Sequence, residues 1–136
     1  MTSLRFDQVT VGDQLAGFEV PLTPTLIIAT AIASRDYQEV HHDADLARER
    51  GSKDIIMNIL TTNGFVGRLI TDWAGPDAMI RSVKVRLGVP NYPGDTMVMT
   101  GEVTELRTDG NVVVVVVRGA NSLGDHVNAT VEVSLP

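Results

Sequence analysis

The 136-residue sequence contains no cysteine, which excludes a disulfide frame, a thiolate nucleophile and any metal site built on Cys. Aromatics are scarce, with one Trp, two Tyr and three Phe, and the 11 Lys and Arg are outnumbered by 17 Asp and Glu, a net charge of −6 with His neutral. A chain so poor in stacking surface and in phosphate-neutralising charge is not built to bind nucleic acid. Long apolar runs are missing too, and none approaches the roughly 20 residues that span a bilayer. The longest early one, Leu26 to Ala33, is interrupted by Thr30 and follows no basic region, so neither a signal peptide nor a membrane span is expected. Repeats, low-complexity tracts and linkers are absent. What is present, 43% apolar and 21% charged residues, is a globular balance at a length that suits one domain. We expect a single domain over residues 1–136, cytoplasmic, handling a small molecule rather than nucleic acid or membrane.

The first part of the chain reads as short extended and helical pieces. Ala16 to Pro21 is apolar and extended, and Thr23-Pro24 opens a turn or short helix through Ser34, because Pro suits the first helical position. Asp36 to Asp45 reads as polar loop, and Asp45 to Arg50 as a helical turn stopped by Gly51. Ser52 is the candidate N-cap of the main helix, with Asp54 near its positive end. From Ile55 onward Ile56, Ile59, Leu60, Val66, Leu69, Ile70 and Trp73 recur at spacings of three and four, which predicts about five helical turns ended by Gly75-Pro76. Gly64 and Gly67 each cost roughly 1 kcal/mol in a helix interior, and close packing against another surface would explain them.

Strands dominate the rest: Met79 to Leu87, Thr96 to Leu106, Val112 to Val117 and His126 to Leu135, with Thr108-Asp109-Gly110-Asn111 as a hairpin turn. The valine run Val112 to Val117 is informative. Strand side chains alternate, so a sheet covered by one helix leaves every second valine, three in all, facing water. We infer that another subunit covers that face.

Reactive side chains gather in Asp36-Tyr37-Gln38-Glu39-Val40-His41-His42-Asp43, which holds two of the three His. Asp36 and His41 would splay by about 140° on a helix, but in a loop both can converge on one water. A carboxylate and an imidazole suit acid–base work near neutral pH; the bland alternative is an ordinary polar loop. Metal binding by Asp36, His41, His42 and Asp43 is disfavoured, because adjacent His residues rarely point at one ion, and no metal is expected. No G-x-S-x-G elbow, P-loop or dinucleotide fingerprint is present. His126 reads as structural or edge-exposed, Trp73 as packing, and the Ser82, Lys84, Arg86 face as solvated.

Asp36 to Asp43 resembles the hydratase motif G-D-x-N-P-L-H-x-D of MaoC-like (R)-specific enoyl-CoA hydratases, with Asp36, His41 and Asp43 on its Asp, His and trailing acid. Pro90-Asn91-Tyr92-Pro93-Gly94-Asp95-Thr96 resembles that family's P-x-x-P-G-D-T turn, and order and spacing agree from about Phe6 to Leu135. Arg35, Gln38 and Glu39 depart from the motif's Gly, Asn and Pro, and Met57-Asn58 stands where most members have His-Gly. With Gly51-Ser52-Lys53-Asp54-Ile55, Asn58-Ile59-Leu60-Thr61, Thr71 to Pro76 and Arg86 to Pro90, these departures are similar to one branch, the small subunits of bacterial steroid (cholesterol) side-chain enoyl-CoA hydratases.

The resemblance implies an α+β hotdog fold, a long central helix wrapped by a curved antiparallel β-sheet. It implies hydration of a 2-enoyl-CoA, with Asp36 and His41 as the catalytic pair and the N–H near Asn58, whose side chain also borders substrate, as the oxyanion and substrate-binding group. It implies no cofactor, CoA being part of the substrate. The implied partner is a larger MaoC-like subunit with a DUF35-type domain, in a heterotetramer of two small and two large chains. A hotdog thioesterase would need an acid on or near the long helix, where Asp54 is the candidate. A non-catalytic hotdog subunit would lack the Asp/His pair.

Overall fold

The computed structural model describes residues 2–136. After a 3-10 turn at Phe6–Gln8 come β1 (Gln14–Pro21), α1 (Pro24–Ala33), a 3-10 turn at Glu39–His41 and α2 (Ala44–Glu49). Then follow α3 (Ile59–Ala74), β2 (Met79–Leu87), β3 (Thr96–Arg107), β4 (Val112–Asn121) and β5 (Gly124–Ser134). The five strands form one sheet in the order β1-β3-β4-β5-β2, antiparallel throughout. Helix α3 lies on one face, burying Val66, Leu69, Ile70 and Ala74 against Met97, Met99, Val103, Val115 and Val131. This is the expected α+β hotdog arrangement.

Alternation explains the sheet's inner face. Val113, Val115 and Val117 point inward, fully buried, in register with Val133, Val131 and Ala129. The outer face corrects the expectation of three water-facing valines, because only Val116, at 41%, is strongly exposed. Val114 is buried between Glu105 and Glu132, its neighbours in register on β3 and β5, and Arg107 bridges both carboxylates at 2.8 Å. The stems of those long side chains cover the apolar surface, so this chain shields Val114 itself.

The main helix begins later than Ser52 or Ile55. Residues 55–58 are extended because tertiary acceptors claim their N–H groups: Ile56 N–H donates to Val40 O at 2.9 Å and Met57 N–H to Asn91 O at 3.1 Å. Ser52 Oγ instead donates to Asp54 O, and Asp54 accepts from the N–H of Ile55. Asn58 is the N-cap of α3, its Oδ1 accepting from Thr61 N–H at 3.0 Å. Gly64 and Gly67 face open space, for a Cβ at either would meet nothing within 4 Å. The close packing that would justify them is therefore not supplied by this chain.

The turn Pro90 to Thr96 has a structural role. Gly94, at φ 91°, donates to Leu22 O while Asp95 accepts from Ser122 N–H and Oγ–H, tying this turn to the β4–β5 hairpin. Those hydrogen bonds, the Ser122 hydroxyl first, hold the Asp95 carboxyl below its ordinary range.

Candidate active site

Asp36 is placed by the way α1 ends. Arg35 takes the left-handed conformation, φ 57°, while Arg35 N–H donates to Ile32 O and Asp36 N–H to Ala31 O, both at 3.0 Å. These are the two hydrogen bonds of a Schellman C-cap, and they set Asp36 just beyond the helix, facing the start of α3. An arginine in this conformation costs roughly 1 kcal/mol relative to glycine.

His41 approaches from the 39–41 turn and is buried at 7% exposure. Its Nδ1 lies 2.7 Å from Ile56 O. A carbonyl only accepts, so Nδ1 carries the proton and Nε2 is turned toward Asp36 Oδ2 at 3.3 Å. The extended 55–58 segment thus does two jobs, pairing with Val40 and orienting the imidazole. His42 turns elsewhere, its Nε2 3.1 Å from Tyr37 O, and Asp43 caps α2 by accepting from Asp45 and Leu46 N–H. The reactive octapeptide therefore divides into two residues that converge, Asp36 and His41, and two that build the local backbone.

The third predicted site residue, Asn58, is buried at 1% exposure. Its Nδ2 donates to Ser34 Oγ at 2.9 Å and to Asp36 Oδ2 at 3.1 Å, and its Oδ1 accepts from Thr61 N–H and Oγ1–H. The side chain is filled by contacts within the chain. This amide is the main cause that holds the Asp36 carboxyl below its ordinary range, partial burial opposing and the Gln38 N–H and His41 assisting. Helix geometry leaves the N–H groups of Ile59 and Leu60 without an intrahelical acceptor, beside the positive end of the α3 dipole.

Ser34 and Thr61 also wall an open groove of about 390 Å³ between α1 and α3, continued by Ala33, Leu60, Gly64 and Phe65. Arg68 borders it, its guanidinium 4.7 Å from the Phe18 ring. Neither Ser34 nor the Ile56 carbonyl is visible as a site residue in the sequence. Thr61 had a signal, the N-x-x-T spacing from Asn58, which reads as an N-cap and its N3 partner.

A family model for the MaoC like domain matches residues 7–124. The chain belongs to the MaoC-like family. It is 54% identical over 125 residues to the 3-oxo-4,17-pregnadiene-20-carboxyl-CoA hydratase beta subunit of Mycobacterium tuberculosis, covering 92% of this chain and 95% of that one. It also matches a chain of the ChsH1-ChsH2 complex of M. tuberculosis at 53% identity and TM-score 0.90, over 93% of this chain and 98% of that one. R-hydratase PhaJ1 from Pseudomonas aeruginosa shares the fold, with TM-score 0.89 at 23% identity, over 98% of this chain and 86% of that chain.

Within the MaoC-like motif, the departures now have local reasons. Arg35 occupies the left-handed capping position that the motif gives to Gly, and Glu39, in place of Pro, pairs with Arg50 at 3.1 Å. Among the described residues no helix is long and apolar enough to cross a membrane.

His126 lies outside this pair but is not edge-exposed. At 4% exposure its Nδ1 sits 2.6 Å from Val89 O and its Nε2 2.8 Å from Thr62 Oγ1. Nδ1 must donate to the carbonyl, and in the neutral ring Nε2 accepts from the threonine hydroxyl. Burial pushes its pKa below the ordinary 6.5, the Val89 contact opposing. A folded pKa below the unfolded one means that the unfolded chain binds the extra proton first. His126 therefore supports the fold above about pH 6.5, and that support is lost as pH falls through its lower, folded value. Urea midpoints measured from pH 7.5 downward should fall less steeply for His126→Gln than for the parent; parallel curves would remove His126 as a source of acid sensitivity.

Proposed function

We propose that the chain is the catalytic subunit of a cytoplasmic enoyl-CoA hydratase that adds water across the double bond of a 2-enoyl-CoA, the acyl group being a steroid side chain. The observation that carries the reading is the Asp36 Oδ2–His41 Nε2 pair, 3.3 Å apart beside the α3 N-terminus and joined through Asn58 to Ser34 and Thr61, which line the α1–α3 groove. Acyl-CoA hydration needs those three parts: a proton-transfer pair, donors for charge on the thioester oxygen, and room for the acyl chain.

The hydrogen bonds divide the labour. Nδ1 donates to a carbonyl and Nε2 faces a carboxylate, and both contacts are satisfied together when the ring is an imidazolium. In this scheme the Asp36 carboxylate takes a proton from water as its oxygen attacks the β-carbon. The π electrons move toward the thioester, whose oxygen gains charge beside the backbone N–H groups of Asn58 and the first turn of α3. His41 Nε2–H then protonates the α-carbon from the same side, a syn addition. The proton on Asp36 passes back to His41 Nε2 before the next turnover, so water is consumed, both groups are restored, and no cofactor is needed.

The groove is open along one side; Leu60, which lines it, and its neighbour Ile59 are each 49% exposed. With Gly64 and Gly67 facing empty space, this side of α3 is shaped to be covered. We assign the cover to a larger MaoC-like subunit carrying a DUF35-type domain, two small and two large chains together. The similarity to a hydratase beta subunit and to a chain of a two-component complex supports a partner subunit at this face.

The test incubates the chain, with and without a co-expressed large subunit, with a steroid side-chain enoyl-CoA and a short-chain enoyl-CoA. Loss of the conjugated double bond with no free thiol is the expected result, fastest on the steroid substrate with both subunits present. Release of free thiol would instead identify a thioesterase, and no change in either would leave only a binding role.

A further inference from the structure

We infer that Asn58 is a positioning residue, whose side-chain amide fixes the Asp36 carboxylate as the proton acceptor and couples it to the start of α3. The inference rests on the hydratase reading for its catalytic consequence, but its structural content stands on the hydrogen bonds alone.

The amide's orientation is determined by its neighbours. Thr61 N–H, 3.0 Å away, can only donate, so the atom facing it is the oxygen and the NH2 group faces Asp36 and Ser34. Ser34 Oγ lies 2.8 Å from Thr30 O, to which it donates, leaving a lone pair to accept one Asn58 hydrogen. The other hydrogen reaches Asp36 Oδ2 at 3.1 Å. Both hydrogens and both acceptor positions of the amide are used, in a residue 1% exposed. Such an amide has little freedom to rotate toward a substrate, and what it steers is the carboxylate.

Three consequences follow from this arrangement. A neutral donor on Oδ2 stabilises the charged form of Asp36 over the protonated form. It leaves Oδ1, which receives only a 3.3 Å contact from Gln38 N–H, as the oxygen free to take a proton from water. And because the same side chain caps α3, the acceptor of the proton and the helix end that stabilises the oxyanion are held at a fixed separation. A glycine at this position would supply neither the cap oxygen nor the donor. Of the elements around Asp36, the 39–41 turn contributes the titratable His41 at 3.3 Å; α1 and α3 contribute Ser34 and Asn58, neither of which titrates.

Asn58→Ser keeps an N-cap oxygen for Thr61 N–H and removes the donor to Asp36. With the partner subunit present, it should lower kcat by about tenfold to a hundredfold, the scale of a misplaced reacting group, with KM little changed. The acid limb of its pH profile should move upward. Asn58→Asp, also a good cap, sets a second carboxylate against the first and should move the limb further in the same direction. A titration of the Asp36 side-chain carboxyl by carbon NMR, without substrate, reads the same effect independently of turnover: parent below the ordinary carboxylate range, both variants above the parent. If Asp36 titrates alike in the parent and both variants, Asn58 does not position it and the inference is wrong, whatever happens to kcat. If the parent complex hydrates no enoyl-CoA, the hydratase reading fails while the carboxyl titration still decides the role of Asn58.

Discussion

Asp36→Asn and His41→Ala should each slow hydration by roughly 10²–10⁴-fold, the usual loss when an acid–base group is removed. Asparagine at 36 keeps the shape of the side chain and can turn its oxygen toward Asn58 Nδ2, but it cannot take a proton from water. Alanine at 41 removes the proton donor and leaves Ile56 O without its 2.7 Å partner, a structural cost of about 1–3 kcal/mol for an unsatisfied buried group. A thermal melt must therefore accompany the kinetics for that variant. The two losses should not add, because each group works through the other: the double variant should be about as slow as the slower single one. Measured with the partner subunit present, near-normal kcat/KM in either single variant would eliminate the pair as the catalytic machinery.

Leu69→Ala should destabilise the chain by about 2–5 kcal/mol, the range for emptying a leucine site in a close-packed core. Leu69 is fully buried on the face of α3 that meets the sheet, and Gly101, whose Cβ would come within 3.2 Å of it, shows how little slack the site has. Surrounding atoms cannot collapse onto the space without moving a strand. Val116→Ala is the matched control: on the outer face at 41% exposure, it should change stability by no more than about 0.5 kcal/mol. Urea denaturation reads both, as a shift in midpoint at unchanged slope. Equal costs at the two positions would contradict the division of the sheet into a core face and an outer face.

The residues that made the fold readable are those whose neighbours in sequence are also their structural context. Val112 to Val117 alternates, and β4 buries Val113, Val115 and Val117 on the helix side. The Asp109-Gly110 turn was legible because a positive φ, 76° at Gly110, favours glycine. The start of α3 was misread because its pattern of three and four extends back through Ile55 and Ile56. Nothing local says that Ile55 N–H goes to the Asp54 carboxylate, Ile56 N–H to Val40 O and Met57 N–H to Asn91 O instead of making helical hydrogen bonds. The fate of Val114 was illegible for the same reason, since the Arg107 bridge spans three strands.

In the site, residue identity alone set which chemistry was available: one carboxylate and one imidazole five residues apart, with no cysteine, no nucleophilic serine elbow and little positive charge. Spacing within a loop let the two groups meet but could not make them meet. Packing brings Asp36, set by the cap of α1, against His41, whose proton is placed by the carbonyl of Ile56. It also set the Asn58 amide against the Asp36 carboxylate, at 3.1 Å. The contacts that orient the pair join residues 15 to 24 positions apart in the chain or lie across a helix end. Side-chain identity sets what a group can donate or accept, and only the packed backbone sets which group receives it.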